Sequence, residues 1–417
     1  MAQSQLVAGG SATVSDNSTR WVSISGIFLV QTNEAFAATA IRDVGTFTNL
    51  FVYVPTNTAT VTSTITLQKS LVDTALTVSY TSTQTGIKED TANSVSFAAT
   101  DEAAHEITVP DTVAATSIII SVIGVSFTPT TTTDCITNFV TSNVANFGTA
   151  SVTYFMPPNG SGATPTATEN NVKYRARFSF ISSNFYSWVQ GNSRTTDIVF
   201  GTRKNGVAGA QSVTYTSGQT GAKEDTVNTD SLVAGDDYNY FVTTLTGTEN
   251  AFLRIFSSVL VNTSSIFTLL NADPDGGAVT FNTTTYTGMG GGMTFNATEA
   301  NNQIYPRFTF TASELGAYVS ANTIATSATT VTLMDNGSAS ALTVSYDPAQ
   351  TGLKNDSANT VEITSGIDEI DYRVVTPNTS GSLTFRWVGM LGAVINILHP
   401  MIQQPSLYYY KKIMLPY

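Results

Sequence analysis

At 417 residues the chain is longer than one ordinary domain, so two to four are expected. Its 41% apolar residues suffice for packed cores, but only 12% are charged, and the net charge of −12 argues against nucleic acid, whose phosphates require a concentrated basic surface. The single cysteine, Cys135, excludes an internal disulfide framework.

From the N-terminus, residues 1–19 are small and polar and read as an extended arm. They show neither the basic start nor the apolar run of a secretory signal, so synthesis in a cytoplasm is expected. Period-2 alternation of Val, Thr, Ile, Tyr and Phe follows and marks strands. It leads into VSYTSTQTGIKEDTAN at 78–93, which carries Tyr80, Gln84, Gly86 and Asp90. Val78 and Tyr80 fall on the opposite face from Ser79, as at the end of a half-buried strand. Gly86 reads as a position of positive φ, and Asp90 as a side chain that binds nearby backbone N–H groups. Alternation then resumes at Ser94–Phe97. The tract Pro129–Asp134 lacks apolar periodicity and closes a first domain, 20–133.

The motif returns as VTYTSGQTGAKEDTVN, with Tyr215, Gln219, Gly221 and Asp225, and as VSYDPAQTGLKNDSAN, with Tyr346, Gln350, Gly352 and Asp356. The glutamines lie 135 and 131 residues apart, a spacing far above the roughly 20–50 residues of solenoids and propellers. The repeat is therefore a whole domain, giving a second at 134–270 and a third at 271–404. Asn205-Gly206 and Asn336-Gly337 are hairpin turns, and Asn271–Gly277 reads as the connection into the third copy. Long helical patterns are absent, and Ser313–Tyr318 allows one short helical turn at most. Domains of about 130 residues built of short strands fit eight-stranded jelly rolls or similar sandwiches, whereas an immunoglobulin-like sandwich needs about 100 residues.

Two readings of the motif compete. As scaffold, it fixes a strand, an ordered connection and a second strand. As a calcium site, it would use Glu89, Asp90 and backbone carbonyls, but Glu89 and Glu224 become Asn355 in the third copy, leaving one shared acid where calcium needs six to eight oxygens. Scaffold is the preferred reading, with Lys88 placed to pair with Asp90. His105, His399 and Cys135 have no metal-site or nucleophile spacing, and GMGGGM at 288–293 lacks the Lys-Ser/Thr of a phosphate loop. The sequons at Asn17, Asn159 and Asn296 read as composition. No cofactor and no catalysis are expected, although acids converging from separate loops would escape this reading.

The last residues, 405–417, form a tail with Tyr408, Tyr409, Tyr410 and Tyr417. It reads either as an edge strand of the third domain or as an assembly surface, since tyrosine favours interfaces. The apolar run Val388–Leu398 is too short to span a bilayer, so no membrane insertion is expected.

The second copy, KNGVAGAQSVTYTSGQTGAKEDTVNTDSLVAGDDYNYFV, resembles the jelly-roll modules of tailed-phage and related viral surface proteins: head fibres, decoration proteins and tail fibres. The resemblance covers roughly 300 residues, and copy one departs from it by lacking the Asn-Gly turn and the glycine before Asp101. It implies an all-β virion protein on the particle surface, homo-oligomeric with a trimer favoured, bound to a capsid or tail protein, and in contact with a host glycan in some members. The alternative is a free-standing carbohydrate-binding or adhesin module, with Tyr186, Trp188 and Tyr238 as aromatics for sugar stacking.

Overall fold

A computed structural model describes residues 4–394 apart from 28–29, 35–36, 111–115, 131–133, 159, 163–164, 263–265, 290–292, 294 and 378–379. The first module comprises β1 (Ser4–Ser15), β2 (Ser18–Ser23), β3 (Gly26–Ile27), β4 (Thr39–Ala40), β5 (Gly45–Val54), β6 (Thr56–Asn57), β7 (Ser63–Lys69), β8 (Val72–Tyr80), β9 (Gly86–Phe97), β10 (Glu102–Val109) and β11 (Ser117–Pro129). The second comprises β12 (Asp134–Asn146), β13 (Thr153–Met156), β14 (Gly160–Gly162), β15 (Tyr174–Arg175), β16 (Phe180–Asn192), β17 (Ile198–Lys204), β18 (Val207–Tyr215), β19 (Gly221–Asp225), β20 (Asp230–Leu232), β21 (Asp237–Thr244) and β22 (Ala251–Val261). The third comprises β23 (Ile266–Thr280), β24 (Thr284–Thr287), β25 (Phe310–Asn322), β26 (Thr329–Asp335), β27 (Ser338–Tyr346), β28 (Gly352–Ile363), β29 (Ile370–Val375) and β30 (Ser382–Val394). Helical structure among the described residues includes the 3-10 turns Glu169–Asn171 and Glu299–Asn301.

Each module has two sheets. In the first, the orders are β1-β11-β5-β9 and β2-β10-β7-β8. In the second they are β12-β22-β16-β19 and β13-β21-β17-β18, and in the third β23-β30-β25-β28 and β24-β29-β26-β27. Counting each module's eight principal strands in chain order, every module pairs 1-8-3-6 and 2-7-4-5. That is the jelly-roll order, so the chain is all-β with three tandem antiparallel jelly rolls. Alternation explains the sandwich: along β8, β18 and β27 the last five residues run buried, exposed, buried, exposed, buried. Phe47, Phe97 and Phe127 meet in the first core, with ring centroids 4.7 and 4.9 Å apart.

Three expectations change. Residues 4–15 do not stand apart as an arm: β1 pairs antiparallel with β11 and opens the first jelly roll. Asn271–Gly277 is not the inter-domain connection, because β23 runs through it with a register shift between Ala272 and Gly277. The junction falls upstream, between the end of β22 at Val261 and the start of β23 at Ile266. Ser313–Tyr318 lies wholly in β25, where Glu314, at φ 54, forms a bulge equivalent to those at Asn49 and Asn184. In the last two cases the expected turn was absorbed as a local irregularity within a strand.

Candidate functional site

The repeated motif is bound up with its own module. The Tyr80 hydroxyl donates toward the carbonyls of Val52 at 2.6 Å and Gly86 at 3.0 Å. Tyr215 reaches Ser187 O and Gly221 O, and Tyr346 reaches Ala317 O and Gly352 O. Burial pushes all three phenols above their ordinary range. The Gln84 Oε1 accepts from Thr81 N, and Gln219 and Gln350 repeat the bond with Thr216 and Asp347. Gly86, Gly221 and Gly352 sit at φ 93, 92 and 95 with open space around a would-be Cβ, so backbone conformation rather than room requires glycine.

Asp90 lies within β9 and ties it to β8. Its Oδ2 accepts from Thr77 N, and its Oδ1 from the backbone of Ala92 and Asn93, while the Asn93 amide reaches both oxygens. Asp225 and Asp356 repeat the set with Ser212 and Asn228, and with Thr343 and Asn359. Burial works to raise each carboxyl, but these donors outweigh it and hold all three below the usual carboxylate range. Oxygens facing N–H donors have little left for a cation, and no group of three or more His, Cys, Asp or Glu poised for a metal occurs among the described residues. Lys88 does not pair with Asp90: it donates to Ser79 O and lies over the Tyr80 ring.

One residue of the motif is not used within the module and faces the neighbouring one. Glu89 receives a two-pronged bond from Arg307 of the third module, Nη1 to Oε1 at 2.6 Å and Nη2 to Oε2 at 2.9 Å. The bond from Arg307 holds Glu89 below its ordinary pKa against the opposing effect of burial. Glu224 of the second module receives Arg42 of the first at 2.6 Å, and Arg42 Nε donates to Asn184 O. Each arginine also lies over an aromatic ring, Arg307 over Phe51 at 5.5 Å and Arg42 over Tyr186 at 5.1 Å. Phe51 and Tyr186 are the cross-strand partners of Glu89 and Glu224. The second module's Arg177 completes the set. It meets the third module, where the corresponding cross-strand pair is Gly316 and Asn355. A Cβ on Gly316 would lie 2.0 Å from Arg177 Nη2, so the guanidinium occupies the space the aromatic fills elsewhere and lies over Trp387 instead, at 5.5 Å.

Module one therefore docks on two, two on three, and three on one, by equivalent arginines. The three jelly rolls close into a ring with approximate threefold equivalence inside a single chain. One apolar cluster runs through the second and third cores and takes in Phe51 and Val122 of the first. The sequence reading missed these arginines; the available signal was the change from Glu89 and Glu224 to Asn355, which marks one junction as different.

Of the aromatics proposed for sugars, Tyr186 and Tyr238 are buried and Trp188 packs against Ala40, Tyr186 and Ile255 at the first junction. Tyr408, Tyr409, Tyr410, Tyr417 and His399 lie outside the described residues. His105 is buried in the first module with neither ring nitrogen hydrogen-bonded among the described residues, and burial lowers its pKa to about 3. No helix among the described residues is long and apolar enough to cross a membrane.

No protein-family model matches the chain, and no curated protein matches it. Among solved structures it aligns with one described under "The Triple Jelly Roll Fold and Turret Assembly in an Archaeal Virus", at 12% identity and a TM-score of 0.21, over 93% of this chain and 91% of that one. The jelly-roll order of the strands stands independently of this overlap.

Proposed function

We propose that this protein is a non-catalytic structural block of a virus particle, carried on its surface. The observation that carries the reading is the closed ring of three jelly rolls, joined by equivalent Arg junctions. The tyrosine, glutamine and aspartate of the repeated motif are consumed by hydrogen bonds within each module. A ring of this kind presents three similar faces from one chain, so a threefold-like block needs no homotrimer, and further copies, a capsid protein or a tail protein would dock on the finished unit. The viral surface modules that the sequence resembles supply the biological setting. A free-standing glycan binder is less well supported, because two of the three aromatics it would use are buried.

The test is an antibody raised against the purified chain, applied to intact and to disrupted particles from a virus-producing culture that encodes it. Labelling of intact particles, with the chain's peptides found in purified particles by mass spectrometry, is the expected result. Finding the chain only in the cell lysate, with particles free of it, overturns the proposal.

A further inference from the structure

Two residues before each junction arginine, the chain places a residue directly across the strand pair from an acid. The pairs are Ala40 with Glu102, Arg175 with Asp237, and Tyr305 with Glu369, the last set by the bridge between Ile304 and Ile370. At two of the three positions the side chain caps the acid. Arg175 Nε donates to Asp237 Oδ1 at 2.7 Å, and the Tyr305 hydroxyl donates to Glu369. At the third the cap is a methyl group. Ala40 cannot reach Glu102, whose carboxylate has no hydrogen bond or ion pair among the described residues.

The shortfall leaves a cleft of about 260 Å³ between the first and second modules, lined by Ala40, Arg42, Glu102, Tyr186, Lys223 and Glu224 among others. The two cations of the cleft are already engaged: Arg42 pairs with Glu224, and Lys223 donates to Thr214 O and lies over Tyr215. Glu102 is the unspent group, and burial raises its pKa.

The junction between the third and first modules identifies what fits. It carries the same charge set, with Arg307, Lys88, Glu89 and Glu369 in place of Arg42, Lys223, Glu224 and Glu102. There the space is filled by the phenol of Tyr305, whose ring stands edge-on to Phe51 at 6.4 Å between centroids. Tyr186 is the counterpart of Phe51 in the open cleft. We infer that the cleft beside Ala40 is a receptor for a tyrosine side chain of a partner chain, the phenol donating to Glu102 and the ring packing against Tyr186.

The experiment titrates the full-length chain with N-acetyl-L-tyrosinamide, followed by calorimetry and by NMR shifts of the probe. Saturable binding is expected, weakened about tenfold or more for N-acetyl-L-phenylalaninamide, which lacks the hydroxyl. Ala40→Tyr, which rebuilds the third junction's filling, should abolish binding. Glu102→Ala, which adds no bulk, should weaken it by about tenfold. A synthetic peptide of residues 405–417 distinguishes the source of the tyrosine. Competition by the peptide places the donor in another copy of this chain, and binding of the small probe without competition by the peptide places it in a different protein. Absence of saturable binding, or binding unchanged in both variants, overturns the inference.

Discussion

Two buried residues are ionisable groups whose charged forms their surroundings do not welcome. Asp371 in β29 is fully buried with neither carboxyl oxygen hydrogen-bonded among the described residues. Burial, reinforced by Glu299, raises its pKa to about 8, with Arg373 opposing. A folded pKa above the unfolded value of about 4 means the side chain is tolerated while protonated, and that stability is lost as pH rises toward and through 8. Its counterpart in the second module is Asn239, which donates to Tyr240 O. Asp371→Asn is therefore expected to raise stability by about 1–3 kcal/mol at pH 9 and to matter little at pH 4, read from denaturant melts at both pH values. His105 has the opposite sign. Its folded pKa of about 3 lies below the unfolded value of about 6.5, so its contribution is intact above pH 6.5 and drains away as pH falls toward 3, by on the order of 1.4 kcal/mol per unit. Replacing it with Phe should remove that slope: calorimetric melting at pH 7 and pH 5 should shift less in His105→Phe than in the native chain. An equal shift would mean that His105 is reached by solvent or by a partner.

At the level of elements, the three modules solve the same hairpin in two ways. β17–β18 and β26–β27 turn through Asn205-Gly206 and Asn336-Gly337, with φ values of 51 and 80, and 50 and 71. The asparagines also receive backbone N–H groups from Asp237 and Glu369. β7–β8 makes the same left-handed turn through Ser70 and Leu71, at φ 48 and 69, where Leu71 has no favourable reason to be. Ser70 Oγ still accepts from Glu102 N, so the docking of this turn is shared with the other modules. Ser70→Asn with Leu71→Gly should stabilise the first module by about 1–2 kcal/mol, seen as a higher denaturant midpoint with an unchanged slope. A lower midpoint would show that the exposed Leu71 side chain serves a packing role that the turn geometry does not reveal.

For the molecule as a whole, the ring makes one junction the odd member. Arg177 Nη2 has no hydrogen-bond partner among the described residues, and burial lowers the group's pKa, with Tyr174 and Glu314 pulling it back up. In the other two modules the bulge carries Asn49 or Asn184 and the facing strand Glu89 or Glu224; in the third the types are exchanged, Glu314 at the bulge and Asn355 on the strand, hydrogen-bonded to each other. Asn355→Glu alone sets two carboxylates side by side and should destabilise. Glu314→Asn added to it restores the arrangement of the other junctions. A double-mutant cycle is expected to give a favourable coupling of about 0.5–3 kcal/mol. Additive effects would show that the two positions act independently of each other.

The module count and the all-β class were legible in the sequence, because they rest on local signals: alternation of period 2, Asn-Gly turns, and a motif whose spacing equals a domain; the strand that follows the motif glycine was not, since β9 starts at Gly86 and not at Ser94. The use of Asp90, Asp225 and Asp356 to bind nearby N–H groups was legible for the same reason, since most of their donors lie within three residues. The same local signals misread Asn271–Gly277, because a bulge inside a paired strand and a free connection share one composition. Only the tertiary structure decided the ring. Arg307 and Glu89 meet across more than two hundred residues of chain, and nothing in the neighbourhood of either names the other. The same holds for Ala40: an alanine before a junction arginine is unremarked in sequence, and becomes a cleft only because Arg175 and Tyr305 fill the two equivalent places.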